Sequence, residues 1–329
     1  MADILNEIMQ KAKKLGKTIV LPEGEDSRVV VAASKASEQG LAKIVLLGDE
    51  EQIKKNNPDV DLSKVQIVNP ETSAKRAEYA NILYELRKAK GMTEEEADKL
   101  SKDCTYYGVL MLKAGDADGL VSGACHSTAN TLRPGLQIIK TAKGVPLVSS
   151  YFLMIAPENH PYCKEGSYVF ADCAINQNPT SEELAYIAIA SAESAKTITG
   201  NDARVAFLSH STKGSAKHAD VDKVRLAVEK TREIAPEVVL EGELQFDAAI
   251  VPEVASLKAP GSLVAGKANV FVFPDLDAGN IGYKIAQRLG GFMAVGPVCQ
   301  GFAKPINDLS RGCNSEEIVA TIAITALQA

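Results

Sequence analysis

The sequence has no CxxC pair: Cys104, Cys125, Cys163, Cys173, Cys299 and Cys313 are scattered singly through 329 residues. In a cytosolic chain of this size such cysteines read as free thiols, not as a disulfide framework. Histidine is scarce as well. His126, His160, His210 and His218 show no zinc-site spacing, and His210 and His218 stand too far apart for HExxH, so no metal site is expected. Positive charge is not in excess. Against 36 Lys and Arg stand 42 Asp and Glu, a net charge of −6, and no basic field would gather nucleic-acid phosphates. An anionic ligand would have to be drawn in by particular Arg and Lys residues. No apolar run is long enough to cross a bilayer. The stretch Met1-Ala2-Asp3-Ile4-Leu5-Asn6-Glu7 carries early acids and no apolar core, so a signal peptide is not expected. There is no Walker A loop, no convincing GxGxxG, no internal repeat and no low-complexity linker. What remains is a cytoplasmic globular protein that meets neither nucleic acid nor membrane.

What is present is alternation. Hydrophobic residues at 46% and charged residues at 24% are ordinary for a soluble globular protein, and this length makes two domains the default. Short β-branched runs at Thr18–Leu21, Ile44–Leu47, Val65–Val68, Gly119–Val121, Arg204–Leu208, Val238–Leu240 and Val270–Phe273 predict strands. Helical stretches at Val29–Gln39, Ser73–Lys90, Ser181–Lys196 and Val221–Ile234 are interleaved with them. This order predicts parallel sheets covered on both faces. Pro146 and the Pro157–Pro161 stretch interrupt it near the middle. Parallel sheets bind ligands outside the carboxyl ends of their strands, so the strand-to-helix turns are the candidate sites.

The last of these turns is the richest. In Pro305–Val319 an extended stretch, a polar turn and a helix bring Ser310, Arg311 and Glu317 into one short span. Arginine offers planar donors that fit a phosphate or carboxylate, and a carboxylate can take a proton. The same residues have a structural reading: Asn314 is a good N-cap, which puts Glu317 at the third helical position of a capping box. The two readings stand level here. In Leu21–Arg28, Asp26 or Ser27 can cap a helix whose first turn carries Arg28. In Gly123–Gly135, hydroxyls at Ser127 and Thr128 precede Arg133, which Pro134 is expected to hold at a break or just before a helix, where an anion is favoured. In Ser209–His218, Ser211 and Lys213 and the surrounding backbone can cradle a phosphate. In Pro274–Asn280, Asp275 and Asp277 offer either a Mg²⁺ pair or, the favoured reading, an Asp277 helix cap with Asn280. Nothing local singles out Arg87, on the charged helix before Lys90.

Six segments in order resemble the phosphate acetyltransferase (phosphotransacetylase) family over essentially the whole chain. They are LPEGEDSR at 21–28, ELRKAKGM at 85–92, DADGLVSGACHSTANTLRP at 116–134, FLSHSTKGSAKH at 207–218, FPDLDAGNIGYK at 273–284 and GPVCQGFAKPINDLSRGC at 296–313. The resemblance implies two three-layer α/β/α domains with an intervening cleft, similar to isocitrate and isopropylmalate dehydrogenases. It implies a discontinuous first domain of 1–147 plus 300–329 and a second of 148–299. It also implies reversible acetyl transfer between CoA and phosphate, with acetyl phosphate and acetyl-CoA as substrates and no metal or tightly bound cofactor. Catalytic roles fall by this resemblance to Ser310, Arg311 and Glu317, with Glu316 as the competing base. Substrate binding falls to Arg28 on the CoA side, Arg87 and Arg133, with Ser127, Thr128, Ser211, Lys213 and Asp277 as further candidates. A homodimer is the usual state of the family. A phosphate butyryltransferase and a non-catalytic CoA or acetyl-phosphate binder remain alternatives.

Overall fold

A computed structural model describes residues 2–329. It divides into two compact units, one of Asn6–Lys143 with Phe302–Ala329 and one containing Gly144–Gly301. Helix α1 (Ala2–Lys13) opens the chain. There follow β1 (Thr18–Leu21), α2 (Ser27–Glu38), β2 (Lys43–Leu47), α3 (Glu50–Asn56) and β3 (Gln66–Val68). Next come α4 (Arg76–Arg87) with a single 3₁₀ turn after it, α5 (Glu94–Leu100), α6 (Cys104–Ala114), β4 (Gly119–Ser122) and α7 (Thr128–Ile138). The intervening unit contributes β5 (Ser149–Ile155), β6 (Ser167–Ala171), α8 (Ser181–Thr199), β7 (Val205–Leu208), α9 (Ala219–Ile234) and β8 (Leu240–Leu244). It continues with α10 (Phe246–Ile250), α11 (Pro252–Lys258), β9 (Val270–Val272), α12 (Leu276–Arg288) and β10 (Met293–Gln300). The chain then returns to the first unit with β11 (Ile306–Asp308) and α13 (Ser315–Gln328).

The first unit is a five-stranded parallel sheet ordered β11-β4-β1-β2-β3. Its strands are short apolar runs without alternation, because helices cover both faces and every side chain must be buried. Ile19, Val20, Leu21, Leu46, Leu47 and Leu120 are fully buried, and so is most of α13 from Ile318 to Ala326. The parallel order puts the ends of β1, β4 and β11 side by side at one edge. Gly123 makes this approach possible. Its φ is +114°, and a Cβ there would lie 2.2 Å from the Asp308 carboxylate and 2.6 Å from the Leu309 nitrogen.

The second unit has six strands ordered β10-β5-β6-β9-β7-β8. Its β6, β9, β7 and β8 are parallel, but β10 and β5 pair antiparallel, as do β5 and β6. The sequence pattern predicts parallel sheets only. The Pro157–Pro161 interruption joins β5 to β6, which are neighbours with no crossover helix, and antiparallel pairing follows. Val238–Leu240 is also displaced: β8 runs Leu240–Leu244 through Glu241, Gly242 and Glu243.

Candidate active site

Asp26 caps α2, accepting from the Arg28 backbone N–H at 2.9 Å, and so sets Arg28 in the first turn. The Arg28 guanidinium then spends all five of its donors inside the protein. Its Nε and one Nη2 bond grip the Asp26 carboxylate at 3.0 and 2.7 Å. Nη1 reaches the carbonyls of Arg311 and Cys313, both at 2.9 Å, and Nη2 also reaches the Ala124 carbonyl at 2.8 Å. The paired guanidinium holds the Asp26 carboxyl below the usual carboxylate range. Arg28 therefore ties together the turns after β1, β4 and β11 and has no N–H left for a ligand.

Beside this clamp lies a second one that sequence reasoning missed. Glu23, fully buried, accepts from the consecutive backbone N–H groups of Gly123, Ala124, Cys125 and His126 at 2.8–3.2 Å, and pairs with the His126 ring at 2.7 Å. The turn after β4 is a nest of amides of the kind that binds phosphate, but here an internal carboxylate fills it. The turn is thereby held in one shape. The one local signal was an acid placed directly after an apolar strand, in Leu21-Pro22-Glu23.

That held turn presents Ser127 and Thr128. Ser127 caps α7, with the Asn130 N–H at 3.3 Å from its hydroxyl. The Thr128 hydroxyl donates to Asp308 at 2.7 Å. Asp308, another residue missed from sequence, is 1% exposed. Burial raises its pKa to about 6 despite the hydroxyls of Thr128 and Thr131 facing it. Arg133 does not sit at a break. Helix α7 begins upstream at its Ser127 cap and continues through Pro134, so Arg133 projects exposed from the helix interior. The buried face of Thr131, Leu132, Gly135 and Ile138 holds the helix together where the proline ring removes one hydrogen bond.

Three guanidiniums in this unit make no hydrogen bond or ion pair among the described residues: Arg87, Arg133 and Arg311. The Nε of Arg87 is buried without a partner. Arg87 closes α4 and lines a 440 Å³ depression with Lys90, Gly91, Met92, Glu96, Lys99 and Leu100. Arg87 and Arg133 both act electrostatically on Tyr106 of α6, which places the two arginines on the same side of the unit.

On the last turn, the Ser310 hydroxyl accepts from the Gly312 N–H at 3.3 Å. Arg311 is exposed, its main chain gripped by Arg28. Asn314 and Glu317 form the capping box: the Glu317 N–H donates to Asn314 at 2.9 Å, and the Asn314 N–H to Glu317 at 3.2 Å. Glu316 points elsewhere and pairs with Lys35 at the surface, 2.5 Å away.

The remaining candidates lie on the other unit. Ser211 is fully buried and donates to Glu243 at 2.7 Å, so its hydroxyl belongs to the scaffold. The Lys213 ammonium pairs with Glu241 at 2.6 Å. Asp277 is exposed and is not the helix cap; Asp275 takes that role, accepting from Ala278 at 2.9 Å, because α12 begins at Leu276.

A three-layer parallel unit with unpaired guanidiniums, a hydroxyl and a carboxylate at its sheet edge has the makings of an anion-binding enzyme site. The chain belongs to the "Phosphate acetyl/butaryl transferase" family, whose model it matches over residues 3–326. It is 55% identical over 329 residues to the phosphate acetyltransferase of Clostridium acetobutylicum, covering 99% of this chain and 98% of that one. A solved phosphotransacetylase from Streptococcus pyogenes superposes with a TM-score of 0.92 at 49% identity, covering 100% of this chain and 98% of the other. A 4-hydroxythreonine-4-phosphate dehydrogenase from Klebsiella pneumoniae, 12% identical, shares the fold at a TM-score of 0.52 over 94% of this chain and 98% of that one.

Proposed function

We infer that this acyltransferase is a phosphate acetyltransferase, moving an acetyl group reversibly between CoA and phosphate. Full-length similarity to enzymes of that name supports the reading. The observation that carries it in the structure is the Ser310–Arg311 turn. Its main chain is clamped by Arg28 while the Arg311 guanidinium makes no bond among the described residues. An arginine positioned by its backbone and left unpaired is suited to a phosphoryl group.

In the direction of thioester synthesis, the CoA thiol loses its proton and its sulfur attacks the acetyl phosphate carbonyl. A C–S bond forms, the bond from the acyl carbon to the bridging oxygen breaks, and that oxygen leaves with phosphate. Arg311 binds the phosphoryl group and stabilises charge on the carbonyl oxygen, Ser310 orients the reacting groups, and Glu317 takes the thiol proton. The surface pairing of Glu316 with Lys35 favours Glu317 over Glu316 as the base. Arg87 and Arg133 supply further charge for the two anionic substrates, and Thr128, Ser127, Lys213 and Asp277 stay as candidate contacts. The transfer balances without redox chemistry, and CoA enters it as substrate and not as a bound cofactor.

Transfer is direct in a ternary complex. A covalent acetyl-cysteine would require a thiolate, but burial pushes the Cys313 thiol up to about 11, and burial with Glu23 and Glu25 raises Cys125 further. The protein acts in the cytoplasm as a homodimer. Exposed Ile281, Ile285 and Leu289 form one stripe along α12, which supports self-association.

The test is thioester formation from acetyl phosphate and CoA, run beside butyryl phosphate. Acetyl should be the faster substrate, and absence of thioester would remove the reading. Exchange of labelled phosphate into acetyl phosphate by enzyme free of CoA would replace direct transfer with the covalent route.

A further inference from the structure

We propose that Glu23, Cys125 and His126 form a binding site for one thiophilic divalent cation, Zn²⁺ or a close relative, at the turn after β4. The donors already stand at nearly the separations such an ion requires. Cys125 Sγ lies 3.4 Å from a Glu23 oxygen, 3.4 Å from a Glu25 oxygen and 3.5 Å from His126 Nδ1. Tetrahedral coordination with Zn–S of about 2.3 Å and Zn–N or Zn–O of about 2.0 Å sets the sulfur-to-nitrogen and sulfur-to-oxygen edges near 3.5 Å. Among these three donors one edge is short: His126 Nδ1 is 2.7 Å from Glu23, against about 3.3 Å for a shared metal, so the partly exposed ring must turn by roughly half an ångström, and water or a swing of the exposed Glu25 side chain completes the tetrahedron.

The site is built from below. Glu23 is fixed by four backbone N–H groups, and the loop's Ala124 carbonyl is held by Arg28, so one ligand and the turn bearing two others are positioned before any ion arrives. Cys125 and Glu25 are exposed, which leaves an entry path. The donor chemistry selects the ion. Thiolate and imidazole disfavour Mg²⁺ and Ca²⁺, which demand oxygen shells, and favour Zn²⁺ and Co²⁺. On binding, the Cys125 S–H bond breaks and its proton leaves to solvent. Neutral His126 carries its proton on Nε2 and gives the Nδ1 lone pair to the metal, with no change in oxidation state. The ion would join the end of β1 to the residue before Ser127 and stiffen the loop that leads into Thr128 and Arg133. This site lies outside the transfer chemistry and does not depend on that reading.

Metal-free full-length protein should be titrated with Co²⁺ and watched by absorbance. One equivalent should produce a thiolate-to-cobalt charge-transfer band and intense tetrahedral d–d bands, which Zn²⁺ then bleaches. Cys125→Ser should abolish the charge-transfer band, and His126→Ala should weaken Co²⁺ binding by at least about tenfold. Both replaced side chains lie at the surface, and circular dichroism checks that the variants are folded. A weak octahedral spectrum, a charge-transfer band that survives Cys125→Ser, or unchanged affinity in His126→Ala overturns the assignment.

Discussion

Arg28 donates to the carbonyl of Arg311 at 2.9 Å, so one arginine holds the main chain of another across 283 residues of sequence. The two guanidiniums consequently have opposite duties. One is consumed by the scaffold and the other is exposed and proposed to meet the ligand, and substitution separates them. Arg28→Ala should cost about 2 kcal/mol, since charge-assisted bonds to three segments are lost, and should lower turnover with it. Arg311→Ala should leave stability within about 0.5 kcal/mol while nearly abolishing turnover. Denaturant unfolding and initial rates on the same preparations decide this. Equal stability losses in the two variants would contradict the division.

The capping role of Glu317 and its proposed role as base can be split by glutamine. Glutamine still accepts the Asn314 N–H and so keeps the capping box, but it cannot take a proton. Glu317→Gln should therefore melt near the parent while kcat drops by at least about 100-fold. Asn314→Ala should lose about 1 kcal/mol through the broken cap. Glu316→Gln should change little, because an exposed pair is worth about 1 kcal/mol or less. Normal kcat in Glu317→Gln would leave it as a cap alone.

Asp308 gives a pH signature. Burial raises its native pKa to about 6, above the ordinary 3.8. Between those values the native carboxyl keeps its proton while the unfolded one has lost it, so stability falls as the pH rises from about 4 to about 6 and stays lost above. The whole effect is on the order of 3 kcal/mol. Asp308→Asn, which can still accept from Thr128, should gain relative to the parent as the pH rises through that window. A constant difference in melting temperature across it would mean that the carboxyl titrates normally.

The α12 stripe predicts the oligomeric state. Leu289 is 85% exposed, and Ile281 and Ile285 more than half, on a helix that is otherwise polar outward. Ile285→Asp combined with Leu289→Asp should convert a dimer to a monomer in sedimentation equilibrium without loss of secondary structure. Unchanged mass would place the interface elsewhere.

Features whose partners are close in sequence were legible in advance. The capping box at Asn314 and Glu317 spans three residues, and β1 and β4 announce themselves as bounded apolar runs. The strand β8 was misplaced because Glu241, Gly242 and Glu243 read as a loop. Their charges make sense only beside Lys213, Ser211 and Arg232, which come from other elements. Arg133 was misjudged because a proline rule is local, while the packing that carries α7 past Pro134 is not. The role of Glu23 was hidden for the same reason: beyond its place after an apolar strand it gave no signal, since its amide partners lie at least 100 residues away. The Cys125-His126 pair carried no metal signal, since its two carboxylate neighbours stand equally far off in sequence.

The final segment has a consequence for how the molecule is made. Edge strand β11 pairs with β4, and α13 packs on α2, β1 and β4. Two of the carbonyls that Arg28 grips belong to Arg311 and Cys313. A ribosome translating this chain releases β1, α2 and β4 long before these acceptors exist. The nascent chain therefore carries Arg28 with its Asp26 and Ala124 partners before the two carbonyls that complete its clamp. The first unit closes only when the segment from Phe302 onward docks on β4 and α2.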